Sequence, residues 1–86
     1  MKQFDPASTE RLWGELERLL PEPEPVLALR TVVAGLLDDG YSREDILTAL
    51  TGFRERLNAA GREDDEEVVT SVMDFLYGWA SPHLKL

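Results

Sequence analysis

The chain has 86 residues, of which 43% are apolar and 30% are charged, and its formal net charge is −8. This length allows one hydrophobic core, and the apolar content excludes a natively disordered chain. The absence of cysteine excludes a disulfide framework and thiolate metal sites. The negative charge disfavours binding to nucleic acid or to an anionic membrane, because both repel carboxylates.

The N-terminal residues 1–6 contain no apolar run, which argues against a signal peptide. The longest apolar stretches of the chain are much shorter than the roughly 20 residues that span a bilayer. We therefore expect a cytoplasmic protein without a transmembrane helix.

The first predicted helix covers residues 6–20. Asp5 occupies its N-cap position, and Pro6 lies at the first helical position, where a missing backbone N–H costs nothing. Apolar residues follow at helical spacing on one face, namely Leu12, Trp13, Leu16, Leu19 and Leu20. Alternating prolines and glutamates at 21–25 then predict a stiff, extended connector.

The second predicted helix covers residues 25–39 and ends at Gly40, which suits the left-handed conformation after a last helical turn. Its main apolar arc is wide, with Leu27 and Ala34 lying outside it. Gly35 in the middle of a helix costs up to about 1 kcal/mol relative to alanine. We therefore expect a neighbouring helix to pack closely against this glycine.

The third predicted helix covers residues 43–60 and has the strongest start signal in the chain. Ser42 occupies the N-cap position, and Tyr41 and Ile46 have the spacing of a hydrophobic staple. Apolar residues at helical spacing follow, and Gly61 ends the helix.

The fourth predicted helix covers residues 65–80, with Asp64 as its N-cap and Glu67 at capping-box spacing. Its apolar arc spans about 200°, the widest in the chain. The helix is expected to end at Pro82, within a short tail at 81–86.

These four segments predict an all-α fold, either a small antiparallel four-helix bundle or a compact irregular four-helix domain. No segment shows the alternation that is typical of a strand. The first and third helices, with one apolar face each, are expected on the outside. The second and fourth, with wide apolar faces, are expected to contact more than one neighbour.

The residues that carry catalysis or metal binding are largely missing. The single histidine, His83, lies in the predicted tail, and no serine stands in a nucleophile-elbow motif. The spacings of an EF-hand loop, of paired Glu-x-x-His motifs and of a glycine-rich phosphate loop are absent. We therefore expect neither enzymatic activity nor a cofactor or metal site.

Two features remain that are typical of recognition. The first is acidic sequence at the end of the second helix and at the start of the fourth. The second is the wide apolar face of the fourth helix, because tyrosine and tryptophan are enriched where binding energy concentrates. The candidate partner-binding residues are Asp38, Asp39, Glu63, Asp64, Asp65, Glu66, Glu67, Met73, Tyr77 and Trp79.

The leading hypothesis is a non-enzymatic protein-interaction module that binds a basic partner, one version being an immunity- or antitoxin-like inhibitor of a nuclease. In length, acidity and helix count, the chain is similar to the small four-helix immunity proteins that neutralise DNase bacteriocins. Those proteins have a short third helix with paired tyrosines, which this sequence lacks, so no functional residue is transferred. The alternative is a structural domain that forms a homodimer through the fourth helix, with the acids serving solubility.

Overall fold

A computed structural model describes residues 3–79, which contain four α-helices joined by short turns. They are α1 (Pro6–Leu19), α2 (Pro25–Asp38), α3 (Arg43–Ala59) and α4 (Glu63–Trp79). The predicted all-α, four-helix fold is confirmed. For residues 78 and 79 only the backbone is described, and the predicted tail at 81–86 lies outside the described residues.

The starts of α1 and α3 have the predicted side-chain caps. The backbone N–H of Ser8 donates to the Asp5 carboxylate at 2.7 Å, and that of Asp45 donates to the Ser42 hydroxyl oxygen at 3.0 Å. These bonds satisfy N–H groups that a first helical turn leaves without partners. Because the Ser8 N–H stabilises the charged carboxylate, it holds the pKa of Asp5 below its ordinary value.

The start of α4 differs from the prediction, and Asp64 as its N-cap is wrong. The helix begins at Glu63, and the backbone N–H of Glu66 donates to the carbonyl oxygen of Arg62 at 3.0 Å. The reason is the tight turn before it: Gly61, with φ of 72°, ends α3, and the chain re-enters a helix two residues later. Asp64 therefore lies inside the first turn, where the helix dipole favours an acid.

The core is built from apolar side chains of all four helices. α4 packs against both α2 and α3, and α2 also contacts α1 and α3, as expected for the two helices with wide apolar faces. α3 likewise contacts both α2 and α4, so the prediction that it lies outside them is wrong. The buried residues are Leu12, Leu16, Leu20, Leu29, Val33, Ile46, Ala49, Leu50, Phe53, Leu57, Val69, Val72, Met73 and Leu76.

Contacts along α1 show its direction relative to α3. At the start of α1, Phe4 stacks on Tyr41 with the ring centroids 4.3 Å apart. Near its end, Glu17 pairs with Arg62. Tyr41 precedes α3 and Arg62 follows it, so α1 and α3 run in the same direction, as successive up-and-down helices require.

Gly35 does not lie against a neighbouring helix, so the expected close approach is wrong. A Cβ atom built on Gly35 would meet no heavy atom within 4 Å among the described residues, and Gly35 is exposed. The core side of α2 carries Leu29 and Val33, whereas Gly35 lies on the solvent side. The glycine is therefore not required by the packing seen within residues 3–79.

We expect Gly35→Ala to raise the free energy of unfolding by about 0.5–1 kcal/mol, because alanine loses less backbone entropy in a helix and finds free space here. Urea denaturation followed by circular dichroism measures this change. Gly14→Ala is a matched control, since Gly14 is also helical with nothing within 4 Å of a built Cβ. A destabilised Gly35→Ala variant beside a stabilised Gly14→Ala variant would show that this side of α2 is covered.

None of the helices within residues 3–79 combines the length and the apolar character needed to cross a membrane.

Candidate interaction surfaces

The two acidic segments lie at opposite ends of α3. Asp38 and Asp39 are at the C-terminal end of α2, just before the turn into α3, whereas the segment 63–67 begins α4, just after the turn out of it. α3 has 17 residues, which at 1.5 Å per residue separates its ends by about 25 Å. The acidic segments therefore do not form one patch.

Part of the acidic segment at the start of α4 is engaged within the chain. Arg62 contacts the Glu17 carboxylate at 2.9 Å and the Asp65 carboxylate at 2.8 Å, and these bonds raise the pKa of the arginine, that with Glu17 most strongly. Asn58 donates to the Glu66 carboxylate at 3.3 Å. The exposed acids of this segment are Glu63, Asp64 and Glu67.

The helix dipole accounts for one acidic segment and not for the other. Acids in the first turn of α4 face the positive end of the helix, which stabilises them. Asp38 and Asp39 stand at the negative end of α2, whose last turn carries no basic residue. Each acid at that end lowers the stability of the helix by roughly 0.3–1 kcal/mol. Local helix stability therefore explains the segment 63–67 but leaves Asp38 and Asp39 unexplained.

The apolar candidates on α4 are divided between core and surface. Met73 is only 6% exposed, so the expectation that it adds to a surplus apolar surface does not hold. The reason is that α4 packs against two helices, α2 and α3, and Met73 is buried in the core with Val69, Val72 and Leu76. Tyr77 is 58% exposed and lies at the surface, as the prediction requires. The side chain of Trp79 lies outside the described residues.

A second exposed surface lies on the outer side of α2. Asp38 is the only predicted site residue that belongs to it. We call it the α2 outer face, and its residues fall within an arc of about 100° at 100° per residue. They are Leu27, Thr31, Ala34, Gly35 and Asp38, all of them exposed. Leu27 is 55% exposed and, with Tyr77, one of the two large apolar side chains exposed among the described residues. The sequence contains the signal, since Leu27 and Ala34 lie outside the main apolar arc of α2.

A shallow groove of about 410 Å³ runs beside Leu27, between α2 and the proline-glutamate connector. Its lining is mainly apolar and includes two glutamates. The lining residues are Glu22, Pro23, Glu24, Leu27, Ala28 and Thr31.

A tryptophan cluster joins α1 to α3. The indole Nε1–H of Trp13 donates to the Ala49 carbonyl oxygen at 3.0 Å, and its ring stacks on Phe53 with the ring centroids 6.4 Å apart. The Arg56 guanidinium lies over the indole at 4.9 Å. Gly52 makes room for the ring, since a Cβ atom there would lie 2.9 Å from it. The sequence places Trp13 on an apolar face but gives no sign of this pairing with a glycine.

Within residues 3–79, no group of three or more His, Cys, Asp or Glu side chains is placed to hold a metal ion.

Comparison with known proteins assigns no family or function to the chain. α3 is 17 residues long, unlike the short third helix of the DNase immunity proteins. No protein-family model, curated protein or solved structure matches the chain.

Proposed function

We propose that the protein is a non-enzymatic interaction module that binds a basic partner protein through its exposed carboxylates. One observation carries this proposal. The chain has seventeen acidic residues against nine basic ones, and the ion pairs formed within residues 3–79 engage only Glu17 and Asp65, both with Arg62. No charged residue is buried in that range. Most carboxylates within residues 3–79 therefore lie at the surface without an ion-pair partner in that range.

Unpaired surface carboxylates raise the local concentration of cationic groups and speed the encounter with a basic surface. An immunity- or antitoxin-like inhibitor, in which the carboxylates cover the nucleic-acid site of a basic enzyme, is one specific form of this function. The acidic charge suits that role because the covered site is one that binds phosphates.

The alternative function is a homodimer formed through α4, and the exposed Tyr77 is the observation that favours it. Met73, which this alternative places in the interface, is buried in the core instead, so we prefer the acidic module. We expect light scattering after size-exclusion chromatography to give a monomer mass of 9.7 kDa at all concentrations. A tight dimer that is lost on Tyr77→Glu would favour the alternative instead.

Affinity capture from a lysate at two salt concentrations tests the leading proposal. At about 0.1 M salt we expect basic proteins to be retained, and at about 1 M, where the screening length falls to about 3 Å, we expect them to be lost. An unrelated protein with the same net charge serves as the control bait and identifies non-specific capture. Retention of neutral proteins, or capture that salt does not change, would contradict the proposal.

A further inference from the structure

The α2 outer face carries three features that folding alone disfavours. Leu27 leaves more than half of its apolar side chain in water, Gly35 weakens the helix without making room for any described residue, and Asp38 opposes the helix dipole. All three lie on one side of one helix. Since the contacts within residues 3–79 do not require these three residues at these positions, they indicate that this face has another use.

Acidic residues lie at both ends of the face. Glu22 and Glu24 are exposed at its N-terminal end, and Asp38 and Asp39 are exposed at its C-terminal end. From position 24 to position 38 the helix rises about 21 Å. Between these acidic ends the face is uncharged, so it presents negative charge, a neutral centre and negative charge in turn.

The single base on α2 is directed away from the face. Arg30 lies at its edge, and its guanidinium stands over the ring of Phe75 on α4, 4.2 Å from the centroid. The cation is therefore held towards α4 and forms no ion pair with the acids at the two ends of the face among the described residues.

The connector forms a turn and bends at residues 20–24, so the predicted extended conformation is wrong, and it holds the groove beside Leu27 in shape. The backbone N–H of Glu22 donates to the Leu19 carbonyl oxygen at 3.1 Å, and that of Ala28 donates to the Glu24 carbonyl oxygen at 3.1 Å. Prolines at 21, 23 and 25 restrict the chain further. The groove is therefore already formed before a partner binds, which reduces the conformational entropy lost on binding.

We propose that the α2 outer face is the docking surface for a helical segment of the basic partner, with Lys or Arg at both ends and small or apolar residues at its centre. The proposal rests on the proposed function and identifies the surface that performs it. Charge complementarity selects bases that match the acids at the two ends, about 21 Å apart. Ala34 and Gly35 allow a helix to approach closely, and the groove beside Leu27 accepts an apolar side chain.

A designed peptide pair tests the surface directly. The first peptide has an alanine- and leucine-rich helical centre with a Lys-Arg pair at each end, about 14 residues apart, which is about 21 Å. The second has the same composition with all four bases at one end. We expect titration of the ¹⁵N-labelled protein with the first peptide to shift the amide resonances of residues 24–39. The second peptide should bind about tenfold more weakly, because it reaches only one acidic end.

A pair of matched variants distinguishes the effect of this face on binding from the effect of the overall charge. Ala34→Arg adds bulk and positive charge to the face, whereas Ala59→Arg makes the same change at an exposed site near the end of α3. We expect Ala34→Arg to weaken binding of the first peptide about tenfold or more and Ala59→Arg to leave it nearly unchanged. Thermal melts show whether both variants remain folded.

Shifts centred elsewhere, equal affinity for the two peptides, or an Ala34→Arg variant that binds as the wild type would each overturn the inference. Concentration-dependent shifts at residues 24–39 without peptide would also overturn it, since they would identify a second copy of the chain as the occupant. If Ala34→Arg still captures basic proteins in a salt-sensitive way, the docking surface is wrong while the proposed function stands. If wild-type capture is insensitive to salt, the proposed function itself fails.

Discussion

Replacing Trp13 with alanine is expected to lower the free energy of unfolding by about 3 kcal/mol, the lower end of the range for large aromatic residues because the side chain is only half-buried. Trp13 makes a hydrogen bond and ring contacts from α1 to α3. Its loss removes the hydrogen bond to the Ala49 carbonyl, the stacking on Phe53 and the support for Arg56. Urea denaturation followed by far-ultraviolet circular dichroism measures the change.

Trp13→Phe is the matched control for this prediction. Phenylalanine keeps a ring against Phe53 but has no N–H to donate to Ala49. We therefore expect a smaller loss, in which the missing hydrogen bond accounts for about 1 kcal/mol. If Trp13→Ala were no more destabilising than Trp13→Phe, the indole would not join the two helices as described.

Replacing Gly52 with alanine is expected to lower the free energy of unfolding by about 1–3 kcal/mol, the usual effect of adding atoms to a packed site. The new Cβ would lie 2.9 Å from the Cζ2 atom of Trp13. The ring cannot move away freely because its Nε1–H is bonded to the Ala49 carbonyl. The sign of the change in stability is informative. Alanine in place of glycine inside a helix ordinarily stabilises the protein by as much as about 1 kcal/mol, as we expect at Gly35.

A double-mutant cycle isolates the contact between Gly52 and Trp13. In a Trp13→Ala background the clash is absent, so Gly52→Ala should become neutral or stabilising. Equilibrium unfolding of the four proteins measures the coupling energy. A Gly52→Ala change that stabilises the protein with Trp13 present would contradict the close approach.

Local signals in the sequence predict the helices well, because each depends on a few neighbouring residues. Asp5 and Ser42 act as caps through side chains that reach backbone groups three residues away. The N-cap assigned to Asp64 is wrong because several acids in a row satisfy the same dipole preference, and the tight turn at Gly61 decides between them.

Features that depend on how helices approach one another are not predictable from one sequence. Gly35 and Gly52 look alike in sequence, but Gly35 is exposed and Gly52 lies against Trp13. The width of the apolar arc on α4 likewise does not tell how many neighbours cover it, so Met73 is in the core while Tyr77 is exposed. Tertiary packing decides each of these cases.

The separation of the two acidic segments also depends on the three-dimensional arrangement of the helices. Asp38 and Glu63 are joined in sequence by α3, and only the straight path of that helix places them at its two ends. The sequence does show that Leu27 lies off the main apolar face of α2. That side chain, and not a convergence of acids, is the signal that leads to the α2 outer face.

The salt dependence of affinity for a captured basic partner tests the central claim that exposed carboxylates bind the partner. We predict that the dissociation constant rises at least about tenfold between about 0.1 M and about 1 M salt. Neutralising Glu22, Glu24, Asp38 and Asp39 to the corresponding amides should flatten this dependence more than neutralising the same number of acids at Glu10, Glu44, Glu55 and Asp74. An affinity that is unchanged or strengthened at high salt would contradict the claim.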